Sequence, residues 1–212
     1  MDTITYTWQD IQEMQKYFRT RFVNSITGFR SALLIGTANK KGETNLALFS
    51  NVFHVGANPP LVGIQMRPVS VSRHTYENIR ATGYFTINHV NREILKAAHH
   101  TSARFPDGIS EFQAVGLTPE FSSRHTAPYV QESIIKIGLK YEEEYQVRAN
   151  NVIVLIGQII ETKFPENLLR EDGNLECELA GSIVACGLDT YFEQKQIMQL
   201  AYAKPDQPVK EV

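Results

Sequence analysis

The 212-residue sequence predicts a mainly β protein, an antiparallel barrel or sandwich with short helices at its edges. Two observations carry this prediction. Roughly seven apolar, strand-like segments lie between residues 31 and 164. They follow one another through short turns rich in Gly, Asn and Pro, as in hairpins, and do not alternate with long crossover helices. A chain of this length suffices for one domain with its own core.

The chain is expected to begin with one amphipathic helix over residues 7–20. Its apolar residues recur at helical spacing and include Trp8, Ile11 and Phe18. Thr7 and Asp10 have the spacing of a capping box. The barrel is expected at about residues 30–164 and a partly helical C-terminal appendage at residues 165–212. We assign all three parts to a single domain.

Seven strands are expected from runs of apolar and β-branched residues. Their ranges are 31–38, 44–49, 52–55, 61–66, 84–90, 134–147 and 152–164. The polar turn 39–42 ends in glycine, which is typical of a hairpin. Pro59 and Pro60 have no N–H for a ladder, so a strand must stop there. The last two strands are expected to pair across residues 149–151.

Two further helices are expected. One covers residues 72–82 and ends at Gly83, which accommodates the left-handed backbone that ends many helices. The other covers residues 91–100, with Asn91 as its cap. Residues 101–129 have no clear periodicity, and a stretch of this length often covers a site or a subunit interface.

The composition disfavours several partners and kinds of site. A formal net charge of −2 provides no general attraction to nucleic acid or to an anionic membrane. The longest apolar run, residues 152–160, is too short to span a bilayer, and the N-terminus lacks a signal-peptide pattern. We therefore expect a cytoplasmic protein. Cys177 and Cys186 are expected to be buried free thiols, although a disulfide stays open. The six histidines form no metal-binding pattern.

A polar cluster at the start of the 72–82 helix is suited to a phosphate. It comprises Arg67, Ser72, Arg73, His74 and Thr75. A helix N-terminus offers free N–H groups and a positive dipole end, and arginine and hydroxyl side chains add donors that match phosphate oxygens. The alternative is that Ser72 or Thr75 is an ordinary N-cap and that the arginines are solvated.

A second cluster lies on the second expected strand and just after it. Alternation puts Asn45, Ala47 and Phe49 on one face. Ala47 would let a flat ring approach the backbone, and Asn45 suits a polyol. Backbone groups near Ser50 and Asn51 would meet the polar edge of a ring system. The alternative is an ordinary half-buried strand that leads into a turn.

Four short motifs together resemble the flavin reductase-like family of FMN-binding split barrels. They are the strand motif NLALFS, the NPPL turn, the helix start RHTYENI and the strand TGYFTIN. RHTYENI is also similar to the flavoredoxin-type branch. The resemblance implies an FMN-binding split β-barrel and a homodimer with one FMN per subunit near its interface. Carried onto this chain, it assigns the flavin ring and ribityl chain to Asn45, Leu46, Ala47, Phe49, Ser50 and Asn51. It assigns the phosphate to Arg67, Ser72, Arg73, His74 and Thr75.

The resemblance also implies an FMN-dependent oxidoreductase, in which a small-molecule donor, NADH or NADPH, passes a hydride to the flavin. No side-chain acid or base is required for that step, so no catalytic residue is predicted. Many family members have a histidine before the last barrel strand, close to the nicotinamide, where residues 149–151 here are Ala-Asn-Asn. This departure favours a second hypothesis, an FMN-binding electron carrier with a protein partner. A third is a split barrel that has lost its flavin and has a structural role.

Overall fold

The computed structural model describes residues 2–106 and 108–212. In chain order the strands are β1 Arg30–Ser31, β2 Leu33–Ala38, β3 Thr44–Phe49, β4 Val52–Ala57, β5 Pro60–Met66, β6 Tyr84–His89, β7 Pro119–Glu120, β8 Tyr129–Val130, β9 Lys136–Val147, β10 Val152–Lys163, β11 Ile183–Cys186 and β12 Thr190–Glu193. The helices are α1 Trp8–Glu13, α2 Lys16–Ser25, α3 His74–Thr82, α4 Leu95–His100 and α5 Glu111–Val115, with a 3-10 turn at Glu166–Leu168. The predicted mainly β fold is confirmed.

The largest sheet has seven antiparallel strands in the order β3-β2-β6-β9-β10-β5-β4. Its two edge strands, β3 and β4, are consecutive in the chain and are joined only by Ser50 and Asn51. The sheet must therefore curl until its edges meet at this link, which makes it a barrel. The Gln65 N–H donates to the Asn51 carbonyl at 2.8 Å and ties the link to β5. The barrel thus closes at the place where the ring-binding cluster was predicted.

Strand β2 is buried on both faces, and all six of its residues are buried. Alternate side chains therefore enter two different cores. The core inside the barrel, which α3 also enters, contains Leu33, Ile35, Ile64, Ile79, Phe85, Ile87, Leu139 and Leu155. The core outside it, under α4, α5 and β11, includes Leu34, Leu46, Val90, Ala98, Phe112 and Ile183. Helix α3 is thereby held against the strands that carry the candidate site.

The seven expected strands are present, and β2 with β3 and β9 with β10 pair as expected. The single helix expected over residues 7–20 is wrong, because α1 and α2 are separate. The capping box is confirmed, with the Thr7 N–H donating to Asp10 Oδ2 at 2.6 Å. The break follows from Gln15, whose Oε1 accepts from the N–H groups of Tyr17 and Phe18 at 2.9 and 3.1 Å and caps a new helix.

Four other expectations need correction. The helix expected from residue 91 begins at Leu95, after a turn in which Asn91 Oδ1 accepts from the Ile94 N–H at 3.1 Å. The irregular stretch 101–129 contains α5 and β7. The helix expected within the appendage is replaced by β12, which forms a hairpin with β11, and β11 in turn pairs with the distant β1. Both cysteines are free thiols, half-buried rather than buried.

Within residues 2–106 and 108–212, no helix has the length and apolarity needed to cross a bilayer.

Candidate functional site

Helix α3 starts after the loop 67–73, which leaves the end of β5. Arg73 occupies the N-cap position, and no side chain caps it. Instead, Glu77 Oε1 accepts from the Arg73 N–H at 3.0 Å and from Ser72 Oγ at 2.9 Å. Neither Ser72 nor Thr75 is therefore the N-cap. The Ser72 hydroxyl and the Arg73 N–H thus both donate to one carboxylate oxygen of Glu77. Donors that converge on a negatively charged group at a helix start are expected where an anion binds.

Thr75, in the first turn of α3, belongs to a buried polar cluster. Asn45 Nδ2 donates to Thr75 Oγ1 at 3.0 Å and to Thr37 Oγ1 at 3.2 Å. Asn78 Nδ2 donates to Thr37 Oγ1 at 3.1 Å. Asn45 and Thr37 are direct partners across β3 and β2. Two predicted site residues, 30 positions apart, are thus in contact. Sequence analysis missed Thr37 and Asn78, because only strand pairing brings them together.

The basic side chains of the loop provide the charge. Arg73 is half-buried, and its Nε is buried without a hydrogen-bond partner among the described residues. A buried donor without a partner costs free energy, so a missing acceptor is the physical explanation. Arg67 and His74 are exposed, at the end of β5 and at the first residue of α3. The residues at this helix start therefore fit a phosphate group in charge and in donor type.

Strand β3 and the two-residue link after it contain both half-buried and fully buried residues. Ala47, Phe49, Ser50 and Asn51 are half-buried, so each retains some accessible surface. Leu46 differs, because its side chain is fully buried in the outer core and its N–H donates to Glu111 Oε2 at 3.1 Å. The Leu46 backbone therefore faces away from β2. Because backbone groups along a strand alternate in direction with a two-residue period, the Leu48 N–H also points away from β2. It lies next to the link that closes the barrel.

Arg30 is a neighbour of the site that sequence analysis did not identify. Its Nη1 donates to Asn51 Oδ1 at 2.7 Å, directly at the link between β3 and β4. Its Nε, like that of Arg73, is buried without a partner among the described residues. Nothing in the local sequence signals this contact, since it forms only when β1 pairs with β11 beside the closed barrel.

A separate polar network holds the segment 119–133 against the outer barrel face. Tyr129 Oη donates to Glu161 Oε2 at 2.8 Å, and His125 Nε2 lies 3.0 Å from Tyr129 Oη. Burial lowers the pKa of His125, while burial and the Glu161 hydrogen bond raise that of Tyr129. A Cβ atom added at Gly138 would collide with Tyr129 Oη and His125 Nε2. Because the His125 side chain is fully buried, we interpret this network as a structural clamp.

Other concave regions and clusters do not compete with this site. Two cavities of about 490 and 590 Å³ lie in the C-terminal appendage, and one of about 420 Å³ lies between α2 and the β11–β12 turn. None of these three is lined by the predicted site residues. In the described part of the chain, no group of three or more His, Cys, Asp or Glu residues could hold a metal ion.

Comparisons with known proteins agree with the fold. A protein-family model for the flavin reductase like domain matches residues 26–192. A split-barrel protein from Shewanella frigidimarina NCIMB 400, assigned to the flavin reductases, is 41% identical and superimposes with a TM-score of 0.91 over 95% of this chain and 100% of its own.

Two more distant structures share the fold. Nitrilotriacetate monooxygenase component B from Bacillus cereus is 21% identical, with a TM-score of 0.81 over 94% of this chain and 100% of its own. Flavoredoxin of Desulfovibrio vulgaris (Miyazaki F) is 23% identical, with a TM-score of 0.72 over 82% and 92%. The resemblance carried by the four motifs is confirmed. With a family match over most of its length, this chain belongs to the flavin reductase-like family.

Proposed function

We propose that this protein is an FMN-dependent oxidoreductase that uses NADH or NADPH as its electron donor. The observation that carries the proposal is the start of α3, where Arg73 Nε is buried without a partner beside the helix N-terminus. Family membership supports a flavin as the cofactor. The phosphate-type donors favour FMN over riboflavin, which has no phosphate.

The chain's own residues would hold the cofactor at two ends. Arg67, Arg73 and the hydroxyl group of Thr75 would donate to the phosphate oxygens, together with the first N–H groups of α3. The Ser72 hydroxyl would join them once its bond to Glu77 Oε1 is released. Thr75 is well prepared for this task, because Asn45 fixes its hydroxyl position at 3.0 Å. The preorganisation lowers the entropy cost of binding.

The other end of the cofactor would lie along β3. Ala47 leaves room near the backbone for a flat ring, and Phe49, Ser50 and Asn51 retain accessible surface there. The buried Leu46 side chain supports the strand from behind and contributes no contact of its own. We therefore assign ring contacts to Ala47, Phe49, Ser50 and Asn51, and we assign Asn45 to the phosphate end through Thr75.

Bound FMN supplies two-electron redox chemistry, including acceptance of a hydride from a nicotinamide. The protein's contribution is to bind, orient and partly desolvate the reacting partners. Hydride transfer to a flavin requires no side-chain acid or base, and we propose no catalytic residue.

We further propose that the protein acts as a homodimer in the cytoplasm. Helices α1 and α2 contain no buried residue, and Trp8 and Tyr17 are 73% and 76% exposed. Large apolar side chains exposed on neighbouring helices are often covered by another surface. Light scattering should give about twice the 24.0 kDa chain mass, and a monomer at micromolar concentration would contradict the dimer.

An FMN-binding electron carrier is the second candidate. The observation that favours it is the turn between β9 and β10, where Asn150 Oδ1 accepts from the Val152 N–H at 3.1 Å and Asn151 has a φ of 58°. These asparagines build the turn and provide no histidine for a nicotinamide.

Titration and turnover separate the candidates. Purified protein should bind FMN more tightly than riboflavin and should oxidise NADH or NADPH in the presence of free flavin or ferricyanide. Tight FMN binding without any oxidation of either nucleotide would favour the electron carrier. Binding of neither flavin would refute both and favour the structural role.

A further inference from the structure

Arg30 connects three separate parts of the fold. Its Nη1 donates to Asn51 Oδ1 at 2.7 Å, in the link between β3 and β4. Its Nη2 donates to the carbonyl groups of Asn24, in α2, and Gly187, between β11 and β12, both at 3.0 Å. The guanidinium is therefore held by hydrogen bonds to three separate segments of the chain.

The chemistry of Arg30 determines the orientation of the Asn51 side chain. A guanidinium has only donors, so the Asn51 atom that faces it must be the acceptor Oδ1. The Nδ2 group consequently points the other way. The Asn51 backbone is held as well, since its carbonyl accepts from the Gln65 N–H at 2.8 Å. Among the described residues, Asn51 Nδ2 has no hydrogen-bond partner.

The result is an oriented N–H donor at the point where the barrel edges meet. Such a donor recognises a carbonyl oxygen or a ring nitrogen with a lone pair. The pyrimidine edge of a flavin carries two carbonyl groups, whereas its dimethylbenzene edge carries none. The donor therefore discriminates between the two ends of the ring system.

We propose that Arg30 is a positioning residue, which makes Asn51 Nδ2 a donor to a carbonyl oxygen on the pyrimidine edge of the flavin. This inference rests on the proposed function. Electron density on that edge increases when the ring is reduced, so a donor there stabilises the reduced form more than the oxidised form. Arg30 thereby raises the midpoint potential of the bound cofactor, although it acts through Asn51.

A purely structural role for Arg30 predicts different behaviour. Its contacts with Asn24 and Gly187 tie the N-terminal helices to the β11–β12 hairpin, and their loss alone would lower stability. The two roles are separated by a double-mutant cycle, because only the positioning role requires Asn51.

The cycle uses the variants Arg30→Met, Asn51→Ala and the double variant, with full-length protein. Dissociation constants for FMN and riboflavin and the midpoint potential are measured for each. We expect either single substitution to weaken both flavins by about 3- to 10-fold and to shift the potential to more negative values. The double variant should match Asn51→Ala. Arg21→Met, which removes a surface ion pair at 2.6 Å between Arg21 of α2 and Asp189, should change neither quantity.

Asn51→Asp tests the same idea without disturbing the Arg30 contact. The carboxylate still accepts from Arg30, but it presents an oxygen where Nδ2 was, so binding of both flavins should weaken at least as much as in Asn51→Ala. Independent, multiplying losses in the double variant, or unchanged flavin affinity in Asn51→Asp, would overturn the inference while leaving the proposed function intact. Failure of the wild-type protein to bind either flavin would overturn both.

Discussion

Arg73→Ala is the sharpest test of the phosphate end of the site. The Arg73 Nε is buried and has no partner in the described structure, so it gains a full hydrogen bond only when an anion binds. A hydrogen bond to a charged group contributes about 1.5–3 kcal/mol, which corresponds to a loss of roughly 10- to 150-fold in FMN affinity. Riboflavin, which has no phosphate, should bind to the variant as it does to the wild-type protein.

The same geometry predicts the stability of the variant. Because the buried Nε makes no hydrogen bond in the free protein, its removal should not lower the free energy of unfolding by more than about 0.5 kcal/mol. Fluorescence or calorimetric titration with both flavins provides the affinities, and denaturant melts provide the stability. Arg92→Ala is the matched control, since Arg92 is an exposed arginine paired with Glu193 at 2.9 Å. Equal losses for FMN and riboflavin would refute the assignment of Arg73 to the phosphate.

Three other predictions concern charge, packing and pH. Glu77→Gln removes the carboxylate that occupies the donors at the start of α3, so FMN should bind about fivefold more tightly while riboflavin is unchanged. Gly36→Ala should lower the free energy of unfolding by about 1–3 kcal/mol, because the new Cβ collides with the Pro128 carbonyl in a buried strand. Burial lowers the pKa of His89 from 6.5 to about 4. The unfolded state therefore binds a proton first, and stability is lost as pH falls from about 6.5 to 4, by about 2–3 kcal/mol.

Each of these predictions has a clear control and contrary result. A rise in riboflavin affinity equal to that of FMN would show that Glu77 acts on the ring and not on the phosphate. Gly56→Ala, where the added Cβ meets only the Pro59 carbonyl at 3.5 Å, should be tolerated. His89→Gln should flatten the acid limb of the stability curve measured by denaturant unfolding. An unchanged limb would mean that other groups cause the loss.

Most barrel elements were predictable because their signals are local. Alternating apolar residues, the Gly-ended turn after β2 and the two prolines at the β4–β5 turn determine over a few residues where strands begin and end. Gly83 ends α3 with a φ of 78°, as predicted. Local signals failed where a distant partner decides the backbone. Residues 190–193 pair with β11, whose other partner is the distant β1, and their sequence alone did not distinguish that strand from a helix.

The candidate site divides in the same way. Arg73 and Thr75 were identified because a helix start and its donors are adjacent in sequence. Glu77 lies in the same turn, but its occupation of the Ser72 and Arg73 donors became visible only in the structure. The contact between Asn45 and Thr75 also required the structure, because it depends on how α3 packs against β3.

The sequence by itself determined the family, the strands of the barrel and the polar start of α3, because each is encoded by residues that are close together in the sequence. Only the tertiary structure decided that Leu46 faces a core, that Thr37 and Asn78 support Thr75, and that Arg30 reaches Asn51. The physical reason is that these contacts join segments far apart in sequence, which meet only when the barrel closes and when α3, α5 and β11 pack against it. The edge strands β3 and β4, for example, come together only when the whole sheet curls.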